Sequence, residues 1–302
     1  MTIEDLNQRF GRQQRLRFSE GPGGLIKADL EFNGARAELY LQGAHLTCYA
    51  PGPGRELLWM SNQAHYAPGT ALRGGIPLCW PWFGAITDGS DRPQHGYART
   101  TEFRVTSTRA DADATTICLE LDNHSAPWPD WQGKLRLEFE VRLGDCLWME
   151  LRTQNLASDP IVISNALHSY LAISEREQVR IPALTGLDYL DKPQSYRPVT
   201  QTDAVTIDAE IDRVYQKPPT VIELVDDHWK TMTTVESWGN ANIVLWNPGP
   251  EKARAMADFD NAGFEHMVCI EPANALDCAI ELKPGESHRL GQTLRVDQIA
   301  EV

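Results

Sequence analysis

The chain has 302 residues, 42% of them hydrophobic and 23% charged, and a formal net charge of −14. That composition suits a globular protein with a large core, while the acidic field disfavours nucleic acid, anionic membranes and any anionic ligand not met by locally placed arginines. No apolar run approaches the ~20 residues of a membrane helix, and the N-terminal MTIEDLNQRFGRQQRLRF lacks the apolar core and cleavage site of a signal peptide, so a cytoplasmic protein is expected.

In chain order, Thr2 is placed to cap a short helix running to about Gln14. Strand-like runs follow at 35–49, 57–60, 103–108 and 115–121. The clearest signal comes next. Leu135, Leu137, Phe139, Val141 and Leu143 alternate with Arg136, Glu138, Glu140 and Arg142, Gly144-Asp145 makes a turn, and Leu147, Met149 and Leu151 resume the alternation. Period-two alternation puts one set on a core face and the other in water, so 134–153 reads as a long antiparallel hairpin. Further runs lie at 161–165, 179–181, 220–225, 231–237, 243–246, 267–270, 279–282 and 292–296, with a second short helix predicted over 250–259. More than ten strands with little helix predict an all-β protein, a large antiparallel β-sandwich with well under a fifth of its residues helical. With no linker and no repeat, residues 1–302 read as a single domain. The six cysteines, at 48, 79, 118, 146, 269 and 278, form no CxxC pair. Their spacing suggests neither a zinc site nor a disulfide framework, but reduced, mostly buried thiols.

Four segments are not explained by strand periodicity. In 73–84, RGGIPLCWPWFG, paired glycines allow close backbone approach to a ligand; Trp80, Trp82 and Phe83 offer flat apolar surface to a sugar, or else pack as a rigid core loop. In 94–99, QHGYAR places an amide, an imidazole and a guanidinium within six residues, as a site or as an ordinary polar loop. In 165–171, NALHSYL sets His168 between apolar runs, as a catalyst or as a hydrogen-bonded core histidine. In 268–274, VCIEPAN, Glu271 ends an apolar strand, where a carboxylate must find a partner or shift its pKa.

Together with Glu210–Tyr215 and WNPGPEKARAMADF, these segments resemble the aldose-1-epimerase superfamily, most closely its hexose-6-phosphate mutarotase branch, and they occur in family order from residue 73 to about 276. The resemblance implies a β-supersandwich of the galactose mutarotase-like kind that interconverts α and β anomers at C1. By motif position, His168 corresponds to the general acid and Glu271 to the general base. Arg73, Gln94 and Arg99 correspond to substrate-binding positions, the arginines being placed for the phosphate. Asp212 corresponds to an aspartate that binds sugar hydroxyls, and His95 more loosely to a second active-site histidine. Opening a hemiacetal needs a base near O1 and an acid near O5, and no metal, nucleotide or covalent intermediate, so no cofactor is expected. The partner expected is a small-molecule sugar phosphate, the protein acting as a monomer without nucleic acid or membrane. Two other readings stay open: an epimerase of free aldoses, indifferent to phosphate, and a carbohydrate-binding sandwich without catalysis, which would have no need of an acid–base pair. The acid and base are expected to face one another across about the width of a pyranose ring.

Overall fold

The computed structural model describes residues 1–86, 89–121, 131–207 and 209–299. Two large antiparallel sheets dominate it. The first, here called the site sheet, runs Arg197–Thr200, Asp188–Asp191, Ile211–Gln216, Asn242–Asn247, Met267–Asn274, Asn165–Leu167 and Leu78–Cys79, with Tyr170–Ala172 also paired to Met267–Asn274. The second, the backing sheet, runs Val179–Arg180, Val221–Asp226, Thr231–Trp238, Ser287–Gln298, Leu147–Asn155, Leu135–Leu143, Thr115–Leu121 and Arg104–Ala110. A four-stranded sheet of residues 16–50 adjoins them.

The hairpin read from the sequence forms the middle of the backing sheet. Cross-strand register sets Leu290 opposite Leu151, Leu151 opposite Phe139, Phe139 opposite Leu119 and Leu119 opposite Val105. All five are at least 97% buried, each contributing roughly 1.5–3 kcal/mol by burial. Their layer meets Tyr215, Ile243, Leu245, Val268 and Ile270 of the site sheet in one continuous core. Among the described residues there are two α-helices, Ile3–Phe10 and Gly249–Ala255, so the expectation of little helix holds. The N-terminal helix is capped as expected: Asp5 N–H donates to Thr2 Oγ1 at 3.1 Å, and Thr2 N–H donates to the Asp5 carboxylate at 3.0 Å. It stops at Phe10 because Gly11, whose N–H makes the last helical bond to the Asn7 carbonyl, leaves the helical backbone at ψ 148°.

Several elements depart from the sequence reading. The run 35–49 is two strands, Ala35–Tyr40 and His45–Ala50, turned through Gly43 and Ala44 in left-handed backbone. Strands Asp188–Asp191 and Arg197–Thr200 are short and carry no clean alternation, and they escape that reading, as do Leu16–Glu20 and Ile26–Phe32, although Ile26, Ala28, Leu30 and Phe32 alternate with Lys27, Asp29 and Glu31. All six cysteines are free, but only Cys79 and Cys269 are fully buried. No helix of the described residues is long and apolar enough to cross a membrane.

Candidate active site

Residues directly opposite one another in antiparallel strands share a face. On the site sheet, Val214, Val244 and Glu271 form one such row, and Asp212, Trp246, Cys269 and Tyr170 the next. These side chains point away from the main core. With Phe259, Phe264 and Ala253 from the 249–264 segment lying over them, most of them build a second buried cluster. A strand with one face in each cluster is apolar at nearly every position, which is why Met267–Asn274 is buried throughout and reads as a continuous hydrophobic run.

Glu271, 1% exposed, meets His168 on this face: His168 Nδ1 lies 3.3 Å from Glu271 Oε1. The contact is not aligned as a hydrogen bond, and both Nδ1 and Glu271 Oε2 lack hydrogen-bond partners among the described residues. Burial drives the Glu271 carboxyl well above the usual carboxylate range, with Asp212 adding to the effect and Lys192 opposing it. Burial likewise drives the His168 imidazole well below its ordinary value, helped by His95, Arg73 and Arg99. Both shifts favour the uncharged form of the group concerned. The imidazole is held by packing: it stacks on Tyr170 (ring centroids 4.7 Å apart) and meets the edge of Trp246 at 5.8 Å. Between His168 and Tyr170, Ser169 turns to the other face, where its hydroxyl receives Gln292 Nε2 from the backing sheet at 2.5 Å. His168 N–H and Tyr170 N–H donate to the Pro77 and Gly75 carbonyls, tying this segment to the 73–84 loop.

The rim is polar. Arg73 is half-buried and bridges Asp258 (Nε–Oδ2 3.2 Å, Nη2–Oδ2 3.1 Å) and the Tyr170 hydroxyl (3.1 Å). Arg99 donates to the Gln94 carbonyl at 2.8 Å and has no carboxylate partner among the described residues. His95 accepts a hydrogen bond from Gly84 N–H at Nδ1, which makes Nε2 the protonated nitrogen of a neutral ring. Burial first, then Arg99, Lys192 and Arg73, push its pKa down to about 3. Its ring centroid lies 5.9 Å from that of His168. Asp212, 4% exposed, is paired with Lys192 at 2.7 Å.

His168, Glu271, His95, Arg73, Arg99 and Asp212 thus gather on one face, the cations all acting on the His168–Glu271 pair or on His95. Gln94 is exposed, and its contact in the site is through its backbone carbonyl. Two expectations need correction, and one open alternative is decided. His168 and Glu271 do not stand a ring's width apart but touch; O1 and O5 of a hemiacetal are bonded to the same carbon, so two adjacent groups could reach both. Trp80 and Trp82 are core residues, their indole N–H groups donating to Thr153 Oγ1 and the Pro93 carbonyl, while Phe83 alone of that trio sits beside His95. Gly75 does not bring its backbone to a ligand but to the protein itself: its N–H is taken by the Trp59 carbonyl, and a Cβ there would lie 2.1 Å from the Leu46 carbonyl oxygen. Lys192, Tyr170, Trp246 and Asp258 escaped the sequence reading as site residues. Lys192 follows a strand in an Asp-Lys-Pro turn, and nothing in that local pattern says which way it reaches.

Gly96 holds the 94–99 loop in place. Its φ is +74°, and a Cβ would stand 1.9 Å from the Trp80 carbonyl oxygen, which also receives Tyr97 and Ala98 N–H. Gly96→Ala is expected to cost at least ~2 kcal/mol from the left-handed backbone and the clash, read as a lowered urea midpoint with unchanged m-value.

A small polar site on the face of a sheet turned away from the main core of an antiparallel supersandwich, with a carboxyl set against an imidazole, suits the enzymes that move protons on sugars. Residues 27–295 match the aldose 1-epimerase family, and the chain belongs to it, as an isomerase of the epimerase type. A relative in Cenchrus ciliaris, provisionally named glucose-6-phosphate 1-epimerase, is 34% identical over 89% of this chain and 84% of its own length. Another in Escherichia coli K12, with the same provisional name, is 31% identical over 86% and 87%. The crystal structure of a provisionally assigned mutarotase from Salmonella typhimurium superposes with a TM-score of 0.87 at 28% identity, covering 98% of this chain and 99% of that one.

Proposed function

We propose that this protein is a hexose-6-phosphate mutarotase, exchanging the α and β anomers of glucose 6-phosphate and related sugars, with the whole chain acting as one domain. The observation that carries this reading is the contact of His168 Nδ1 with Glu271 Oε1 at 3.3 Å beneath Arg73 and Arg99. The pair works as a relay that starts and ends neutral. The O1 hydroxyl gives its proton to the unpartnered Glu271 Oε2. Glu271 Oε1 passes its proton to His168 Nδ1, and His168 Nε2 delivers one to the ring oxygen O5. The C1–O5 bond opens as the O1–C1 bond becomes a carbonyl, rotation about C1–C2 exposes the other face, and closure reverses the transfers. One proton leaves O1 and one reaches O5, so no net charge is created in a buried site, where charge is costly. Glu271 is the base and His168 the acid, as motif position implies. Lys192 and Asp212 hold the polar side of the sugar, and His95 offers an N–H donor.

The phosphate is met chiefly by Arg99. Arg73 already shares its charge with Asp258, whereas Arg99 has donors and charge to spare. Anomeric exchange measured by NMR on glucose 6-phosphate and glucose side by side tests the reading. Exchange on the phosphate is expected to be much the faster, and equal rates would hand the site to the free-aldose alternative. Arg99→Ala and Arg73→Ala are each expected to weaken use of the phosphate by about 1.5 kcal/mol or more, roughly tenfold in kcat/KM, and to leave any exchange on glucose nearly untouched.

A further inference from the structure

The catalytic face holds a third donor that the relay does not use. Cys269 lies two residues before Glu271 on the same strand and therefore on the same face. One ligand atom each from His168, Cys269 and Glu271 lies within 4.8 Å of the others, and all three residues are buried. Cysteine spacing along the chain gives no hint of this, because the fold supplies the histidine from a different strand connection a hundred residues earlier. Two of the polar atoms here, His168 Nδ1 and Glu271 Oε2, are buried without a hydrogen-bond partner among the described residues. Buried polar atoms are rarely left so, and these two belong to two of the three clustered residues.

We propose that His168, Cys269 and Glu271 form a site for a zinc-class divalent cation, and that a metal bound there shuts the catalytic pair. An imidazole nitrogen, a thiolate and a carboxylate oxygen are the ligand types such an ion selects. Three protein ligands leave a fourth tetrahedral position open. The charges balance: a divalent cation with one thiolate and one carboxylate is neutral, and the thiol and carboxyl release two protons to solvent on binding. That neutrality makes the site tolerable beside Arg73, Arg99 and Lys192, with Asp212 opposing their repulsion. Magnesium, which prefers oxygen ligands and keeps its waters, has no reason to bind. The inhibitory half of the proposal rests on the reading of His168 and Glu271 as the catalytic pair; the binding half does not.

Cobalt(II), titrated into the intact protein, tests the site without reference to activity. A sulfur-to-metal charge-transfer band that zinc abolishes is expected from wild type and not from Cys269→Ser. Zinc is expected to inhibit anomeric exchange competitively with the sugar phosphate, magnesium to have no effect, and Cys269→Ser to need at least about tenfold more zinc for the same inhibition. Cys269→Ala repeats the test without a buried hydroxyl if the serine variant does not fold. Absence of the band, or equal zinc sensitivity of wild type and the cysteine variants, overturns the proposal. A band accompanied by undiminished exchange overturns the inhibitory role and, with it, the assignment of the chemistry to His168 and Glu271.

Discussion

Glu271→Gln is expected to slow anomeric exchange by roughly 100-fold or more while leaving sugar-phosphate binding largely intact. The amide fills the same space, and burial already favours the uncharged carboxyl, so the change is electrostatically mild and the fold should survive. What is lost is the ability to accept at one oxygen while donating from the other. The measurement is the exchange rate by NMR alongside a calorimetric binding curve. Wild-type exchange in this variant would refute the relay and return attention to a carbohydrate-binding module.

His168→Asn should produce a loss of similar size, roughly 100-fold, by removing delivery to O5. The double variant should be little worse than the more damaging single one, since each group can act only through the other. Wild-type pH dependence supplies a second readout. The forms with the proton on Glu271 or on His168 hold the same number of protons, so pH does not alter their ratio. Activity falls only when the pair gains a second proton or loses its one. With His168 pushed below its ordinary 6.5 and Glu271 pushed above its ordinary 4.5, the acid arm of kcat/KM lies below the usual imidazole range and the alkaline arm above the usual carboxylate range. An acid arm at or above 6.5 would show that the imidazole must be charged in the free enzyme, contrary to the neutral relay.

Much of the fold is legible in the sequence where one face of a strand is wet. The 135–151 hairpin announces itself because Arg136, Glu138 and Glu140 break up its apolar residues. The site sheet is harder to read, because both of its faces are buried. Val244 and Trp246 look like core alongside Ile243 and Leu245, and alternation cannot say that they belong to different clusters. The candidate site is legible as motifs, not as geometry. Six of the seven named residues bring their side chains to one face. That His168 and Glu271 touch, that Trp80 and Trp82 serve the core, and that Lys192 pairs with Asp212 depend on cross-strand register and turn direction, which local residue types leave open.

The cross-link from Gln292 to Ser169, with Glu271 set in the middle of a strand, means that the proton-transfer pair is part of the scaffold, whereas Arg73 and Arg99 are carried by loops. Such a division lets the two parts drift independently over evolutionary time. Exchanging loop arginines for neutral residues retunes which sugars are accepted at little risk to folding. Altering the acid or the base disturbs a buried layer. A lineage can therefore change its diet of sugars far more readily than its chemistry, and a laboratory selection for new substrates should find its successes at positions 73, 94 and 99 before it finds any in 267–274.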